Sequence, residues 1–249
     1  MVKPFEIVSI TMVKNEQDVI EPFVRHNLRF VDFMVIVDNN STDDTRAILV
    51  KLARETGRVA VFDRKEASFT QGAYLTRVMQ AVQSVFFAEY LVFLDGDEFI
   101  GATDPQSFRA ALESIPVYGF GLVPWRTYVL PEGQDLDVMT ADVPKSMRWR
   151  RVNEYEQFYK AFIRTAGRIL PHYKISDGSH TVLHDKNESI PSVKLDTMPL
   201  LHFPVRGLAQ LTAKCINGWM AVLAKQAAGI QLSRNECHQW RENFERTTN

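Results

Sequence analysis

The feature that most constrains this chain is the alternation in its first 100 residues. Short, apolar, β-branched runs recur at 7–13, 33–37, 59–62 and 90–94. Each is too short for a helix of ordinary length and apolar on both faces, which predicts strands buried from two sides. Between them lie segments of helical spacing. Val19, Ile20, Phe23, Val24 and Leu28 mark one; Ile48, Leu49 and Leu52 mark a second, with Thr42 or Asp43 as its expected cap; 71–88 is a third. The order βαβαβαβ predicts an α/β fold with a Rossmann-like, mostly parallel central sheet and helices on both faces.

Past residue 100 the pattern loosens. A helix is expected at 105–115, a strand at 119–123, a long loop at 124–145 and a locally basic stretch at 145–174. A helix at 208–228 would set Leu211, Cys215, Trp219 and Leu223 on one face, and 235–249 reads as a polar helix. No Ser/Gly-rich linker divides the chain, so a single domain over 1–249 with a C-terminal helical elaboration is expected. At 249 residues it can bury about 70% or more of its unfolded surface without staples.

Composition excludes several classes. A net charge of -1 argues against a nucleic-acid coat protein. Cys215 and Cys237 make neither a disulfide framework nor a metal-binding pair, which fits a reducing cytosol. No apolar run approaches the roughly 18 residues that span a bilayer, and no signal-like stretch opens the chain. A cytoplasmic protein is expected. The amphipathic C-terminal stretch leaves peripheral contact with the inner face of the membrane open.

Open parallel sheets bind ligands at the carboxyl ends of their strands. Three polar clusters fall there: Lys14-Asn15-Glu16, then 38–44 from Asp38 to Asp44, then Asp95-Gly96-Asp97-Glu98. In the last, carboxylates two apart around a glycine can approach one hard cation, Mg²⁺ or Mn²⁺, shared with substrate phosphates. Solvated carboxylates at a strand end are the alternative. Later ligand positions do not match an EF-hand.

Met12-Val13-Lys14-Asn15-Glu16, Asp38-Asn39-Asn40-Ser41-Thr42-Asp43 and Leu94-Asp95-Gly96-Asp97-Glu98-Phe99, in this order, resemble family-2-like glycosyltransferases of the GT-A fold. Pro124-Trp125-Arg126 also matches, and Lys160, His180 and His202-Phe203 followed by Arg206 match more loosely. The resemblance implies a metal-dependent, inverting transfer from a nucleoside-diphosphate sugar, UDP by default, to the hydroxyl of a surface glycan such as capsule or lipopolysaccharide. It implies a nucleotide-sugar-binding half over 1–100 and an acceptor-binding half over 101–249. Lys14, Asn15, Glu16 and Asp38 would line the nucleotide pocket. Asp97 would ligate the metal, with Asp95 nearer the ribose or sugar and also within reach of the ion. His202 would be a third ligand or a pyrophosphate contact, and Gln71 and Gly72 would fall near the donor.

Other assignments are more open. Lys160 or Arg150 could neutralise the diphosphate, the rest of the basic stretch being solvated surface. Trp125, Trp149, Tyr128 and Tyr155 could stack on a sugar, though core packing is the commoner fate of an aromatic. His180 and His184 read more readily as structural. Inversion needs a general base within reach of the acceptor hydroxyl. The candidates are Asp177, Glu154 and Glu156, with Asp177 preferred beside Gly178. Two other classes remain: a nucleotidylyltransferase-like enzyme, which usually carries a Gly-rich first loop, and a non-catalytic glycan-binding domain.

Overall fold

The computed structural model describes residues 5–64, 71–131, 143–231 and 241–245. Its elements follow the order β1 (Ile7–Val13), α1 (Ile20–Asn27), β2 (Phe33–Asp38), α2 (Thr45–Thr56), β3 (Val59–Asp63), α3 (Gln71–Phe86), β4 (Tyr90–Asp95), β5 (Glu98–Ile100), α4 (Pro105–Glu113) and β6 (Phe120–Val129). Then come α5 (Val143–Ser146), β7 (Trp149–Arg150), β8 (Tyr159–Arg164), β9 (Tyr173–Ile175), a 3₁₀ turn (Asp177–Ser179), β10 (Val182–His184), β11 (Ser192–Lys194), β12 (Leu200–His202) and α6 (Leu208–Ala227).

The expected βαβαβαβ half is present. β3, β2, β1 and β4 lie side by side and parallel. Alternation assigns each strand's side chains to opposite layers. Met34 and Ile36 of β2 and Val92 and Leu94 of β4 join Ile20, Phe23, Leu49, Leu52 and Phe108 on the face covered by α1, α2 and α4. Val8 and Ile10 of β1 and Leu91 and Phe93 of β4 meet Leu75, Met79 and Val82 of α3 on the other face.

The second half is built into the first rather than beside it. β8 pairs antiparallel with both β4 and β6, and β12 pairs with both β6 and β5, giving the order β3-β2-β1-β4-β8-β6-β12-β5. The expected strand at 119–123 extends to Val129, into the segment read as a loop. Pro124 is tolerated there because β11 pairs with residues 120–122 and β12 with 125–127, so neither strand uses its missing N–H. Residues 132–142 lie outside the described residues, as do 232–240 and 246–249 of the expected terminal helix, and Cys237 with them.

α2 starts one residue later than expected. Its N-cap is Asp44, whose side chain makes no cap bond, while Asp43 Oδ1 accepts the Thr45 N–H at 3.0 Å. α6 also differs. Of its 20 residues only Cys215 and Val222 are buried; Cys215 belongs to the expected apolar face, Leu211 and Trp219 are half-buried, and Leu223 at its end is 40% exposed.

Candidate active site

Asp38 and Asp95 end the strands on either side of β1, in register with Val13 and Met12. Strand spacing alone puts them about 10 Å apart across the same sheet edge. The loop after β1 is fastened to the loop after β2. Asn15, at φ 56, donates its N–H to Ser41 Oγ at 2.9 Å and accepts the Thr42 N–H on Oδ1 at 2.8 Å. The Glu16 N–H goes to Thr45 Oγ1 at 2.8 Å. Asparagine tolerates the left-handed region better than most residues, and Asn40 in the facing loop uses it too, at φ 59. Asp38 differs from expectation. It is buried, and both oxygens serve Ser41, Oδ1 taking the hydroxyl at 2.5 Å and Oδ2 the N–H at 3.2 Å. It holds Ser41 in place, and Asn39 and Asp43 are the residues of this loop that line the pocket.

That pocket is a cavity of about 630 Å³. One wall is the β1 loop from Met12 to Asp18, with Asn39, Asp43 and Gln71 beside it; the other is one face of α6. Lys14, Asn15, Glu16 and Gln71 therefore line one cavity. Gln71 Oε1 accepts the Gly178 N–H at 3.3 Å.

The acidic pair divides its partners. Asp95 Oδ2 binds Lys160 Nζ at 2.6 Å. Lys160 is fully buried, also donates to the Gly178 carbonyl at 2.7 Å and lies 3.6 Å from Glu98. Burial presses its pKa down, but Asp95 and Glu98 outweigh that and hold it above its ordinary value. Glu98 accepts the Asp95 N–H at 2.8 Å, and burial drives its carboxyl well above the usual range against the pull of Lys160. Lys160 thus anchors Asp95. It does not reach the cavity, contrary to its expected role at the diphosphate, and Arg150 is on an exposed strand.

Asp97 is buried under three bases. Lys214 Nζ lies 2.8 Å and Arg206 3.7 Å from Oδ2, and His202 Nε2 is 3.8 Å from Oδ1. Burial raises the Asp97 carboxyl, and Lys214, His202 and Arg206 together overcome it, leaving it below the usual carboxylate range. Burial lowers His202 to about 4, against the pull of Asp97, so its imidazole is neutral at pH 7. Its Nδ1 is buried without a hydrogen-bond partner. Arg206, fully buried, binds Asp18 through Nε at 2.5 Å and Glu16 through Nη2 at 2.5 Å, and donates Nη1 to the Phe203 carbonyl. Burial raises Glu16 to about 7 against that pull. Asp97 and His202 converge, and Asp95 is held apart by Lys160. Among the described residues no group of three or more His, Cys, Asp and Glu side chains could hold a metal ion.

The remaining candidates separate. Glu154 is a structural staple, not a free base: its two oxygens take the N–H and the hydroxyl of Thr127, at 2.7 and 2.9 Å. Asp177 Oδ1 accepts the Gly72 N–H at 2.6 Å at the start of α3. Gly72 is required there, since a Cβ would stand 2.3 Å from the Ile175 carbonyl oxygen. Trp125 packs against His202, His180 and Phe158, with ring centroids 4.1, 5.5 and 5.3 Å away. Tyr128 stacks on Phe203, whereas Trp149 and Tyr155 stand exposed. His184 neighbours His172, away from these groups. Asp18 and Lys214 are contributors that sequence reasoning missed, and Glu98 was named there only as part of the acidic motif. No motif marks Lys214, whose partner Asp97 is 117 residues distant.

An α/β fold whose mostly parallel sheet carries an acidic pair and a cavity at one strand edge is the GT-A architecture. The family model for glycosyl transferase family 2 matches residues 9–169, and the chain belongs to that family. It is a glycosyltransferase. Its structure is similar to the mannosyltransferase PcManGT from Pyrobaculum calidifontis in complex with GDP-Man and Mn²⁺, at 13% identity and TM-score 0.49, over 99% of this chain and 74% of that one. TarS 1-349 from S. aureus matches at 14% identity and TM-score 0.46, over 97% and 71%. Glucosyl-3-phosphoglycerate synthase from Mycobacterium tuberculosis matches at 17% identity and TM-score 0.44, over 92% and 82%. Comparison with curated proteins gave no match.

Proposed function

We propose that the site transfers a sugar, with inversion, from a nucleoside-diphosphate sugar to an acceptor hydroxyl. The observation that carries this reading is the cavity itself. It is walled by the loops after β1 and β2, closed by α6 and flanked by Lys214, which binds Asp97. The nucleoside diphosphate fills that cavity, and UDP is the first nucleotide to test. Asp97 and His202 suit a divalent ion, Mn²⁺ or Mg²⁺. Asp97 Oδ1 and neutral His202 Nε2 face each other at 3.8 Å, and hard cations take few protein ligands when substrate phosphates supply the rest. When bound, such an ion offsets charge building on the leaving diphosphate.

Asp177 is the proposed general base. The Gly72 N–H fixes one of its oxygens, and the other takes no hydrogen bond from the described residues, so the carboxylate is oriented with one oxygen available. Trp125, Phe158 and His180 offer an aromatic surface for an acceptor sugar. The proposed acceptor is a growing surface glycan handled at the inner face of the membrane. Among the described residues no helix is long and apolar enough to cross one.

The test is a melting-temperature screen of UDP, dTDP, GDP and CDP, each with and without Mn²⁺ or Mg²⁺, since a ligand of the native state raises that temperature by mass action. One nucleotide is expected to give a metal-dependent rise, and Asp97→Asn to lose its metal-dependent part. No rise with any nucleotide in folded protein would remove the donor reading. A rise indifferent to metal would remove the metal assignment alone.

A further inference from the structure

Three cationic side chains touch the acidic pair, and they are not equivalent. Lys160 and Arg206 have fully buried side chains. Lys160 is taken up by Asp95 and the Gly178 carbonyl, and Arg206 by Asp18, Glu16 and the Phe203 carbonyl. The Lys214 side chain is 35% exposed and lines the cavity. Its ammonium has three donors. One goes to Asp97 Oδ2 at 2.8 Å, and the contact with the Pro204 carbonyl is long, at 3.5 Å. At least one donor is left for a ligand.

The helix around it is shaped for that purpose. Gln210, Ala213, Lys214, Asn217, Gly218 and Ala221 form the stripe of α6 that faces the cavity. Their spacing of three and four residues is that of one helix face. Gln210, Lys214 and Asn217 are polar and Ala213, Gly218 and Ala221 are small, which leaves room beside the lysine.

We propose that Lys214, one of the lysines lining the cavity with Lys14 and Lys225, binds the donor's diphosphate: tethered by Asp97, its ammonium donates to a phosphate oxygen and joins Asp97 to the leaving group. This rests on the donor reading above and deepens it. It moves the role expected of Lys160 to a residue outside the segment that the family model matches. The division of Asp97, with Oδ2 on Lys214 and Oδ1 facing His202, lets an ion and the ammonium address the diphosphate from the same carboxylate.

The experiment is calorimetry in Mn²⁺-containing buffer on wild type, Lys214→Met and Lys214→Arg. The probes are UDP, GDP, dTDP and CDP, followed by the parent nucleoside of whichever binds. A charge-assisted hydrogen bond corresponds to roughly a tenfold to hundredfold change in affinity. Lys214→Met is expected to lose that much for the diphosphate and nothing for the nucleoside, and Lys214→Arg to recover part of it. Equal loss for both probes would mean a structural role and overturn the inference, as would unchanged diphosphate affinity. Wild type that binds no diphosphate would overturn the donor reading and this inference together. Unaltered nucleoside affinity in Lys214→Met also confirms that the variant is folded.

Discussion

At the scale of single residues, Arg206 does the most. Its guanidinium gathers Glu16 and Asp18 from the loop after β1 and comes within 3.7 Å of Asp97 after β4. Removing one partner of a buried ion pair leaves the other charge uncompensated, at a cost of about 3–5 kcal/mol. Arg206→Met is therefore expected to lower the unfolding free energy by about that amount, read from the urea midpoint at unchanged slope. A loss below about 1 kcal/mol would mean that Glu16 and Asp18 are solvated like a surface pair.

Among the elements, the packing of α3 against β9 positions Asp177. Gly72 allows the contact, and the Gly72 N–H holds the carboxylate. Gly72→Ala puts a methyl group into the Ile175 carbonyl, and the helix must move. The expected cost is about 1–3 kcal/mol, the usual range for overpacking. Because the shift also displaces Asp177, turnover should fall more than donor affinity, a split that kinetics with a saturating acceptor resolves.

The elements also mark how far the sequence could be read. β1, β2 and β4 were legible because strands buried on both faces must be apolar throughout, β3 because its run is apolar although at the sheet edge only Val59 is buried, and the loops after β1, β2 and β4 because turns at strand ends concentrate polar residues. β5 and β12 were not, since three-residue strands give little periodicity, and β8 was not, since Lys160 interrupts its apolar run. Asp95, Asp97 and His202 could be picked out by type and place. Their partners could not: Arg206 meets Glu16 across 190 residues, and no local spacing records such a pairing. Glu154 and Lys160 were misjudged because a charged residue looks the same in sequence whether it faces a ligand or is enclosed by Thr127 or Asp95.

For the molecule as a whole, the sheet runs through both halves of the chain. β8 covers the edge of β4, and β12 covers β5. A fragment of residues 1–113 holds every strand of the parallel core yet lacks both covers and the basic partners of Asp95 and Asp97. It is expected to show no cooperative thermal transition and poorly dispersed amide resonances, whereas the whole chain melts in one step. A cooperative, well-dispersed fragment would show that the first half is autonomous.

The distribution of charge along the chain has a consequence during synthesis. Glu16, Asp18, Asp95, Asp97 and Glu98 all precede residue 99, and Lys160, Arg206 and Lys214 all follow residue 159. A ribosome adding about 5–20 residues per second makes the acids seconds before the bases that neutralise them. Until Lys214 emerges from the exit tunnel, the nascent chain must keep those carboxylates in water, so the pocket closes among the last events of folding.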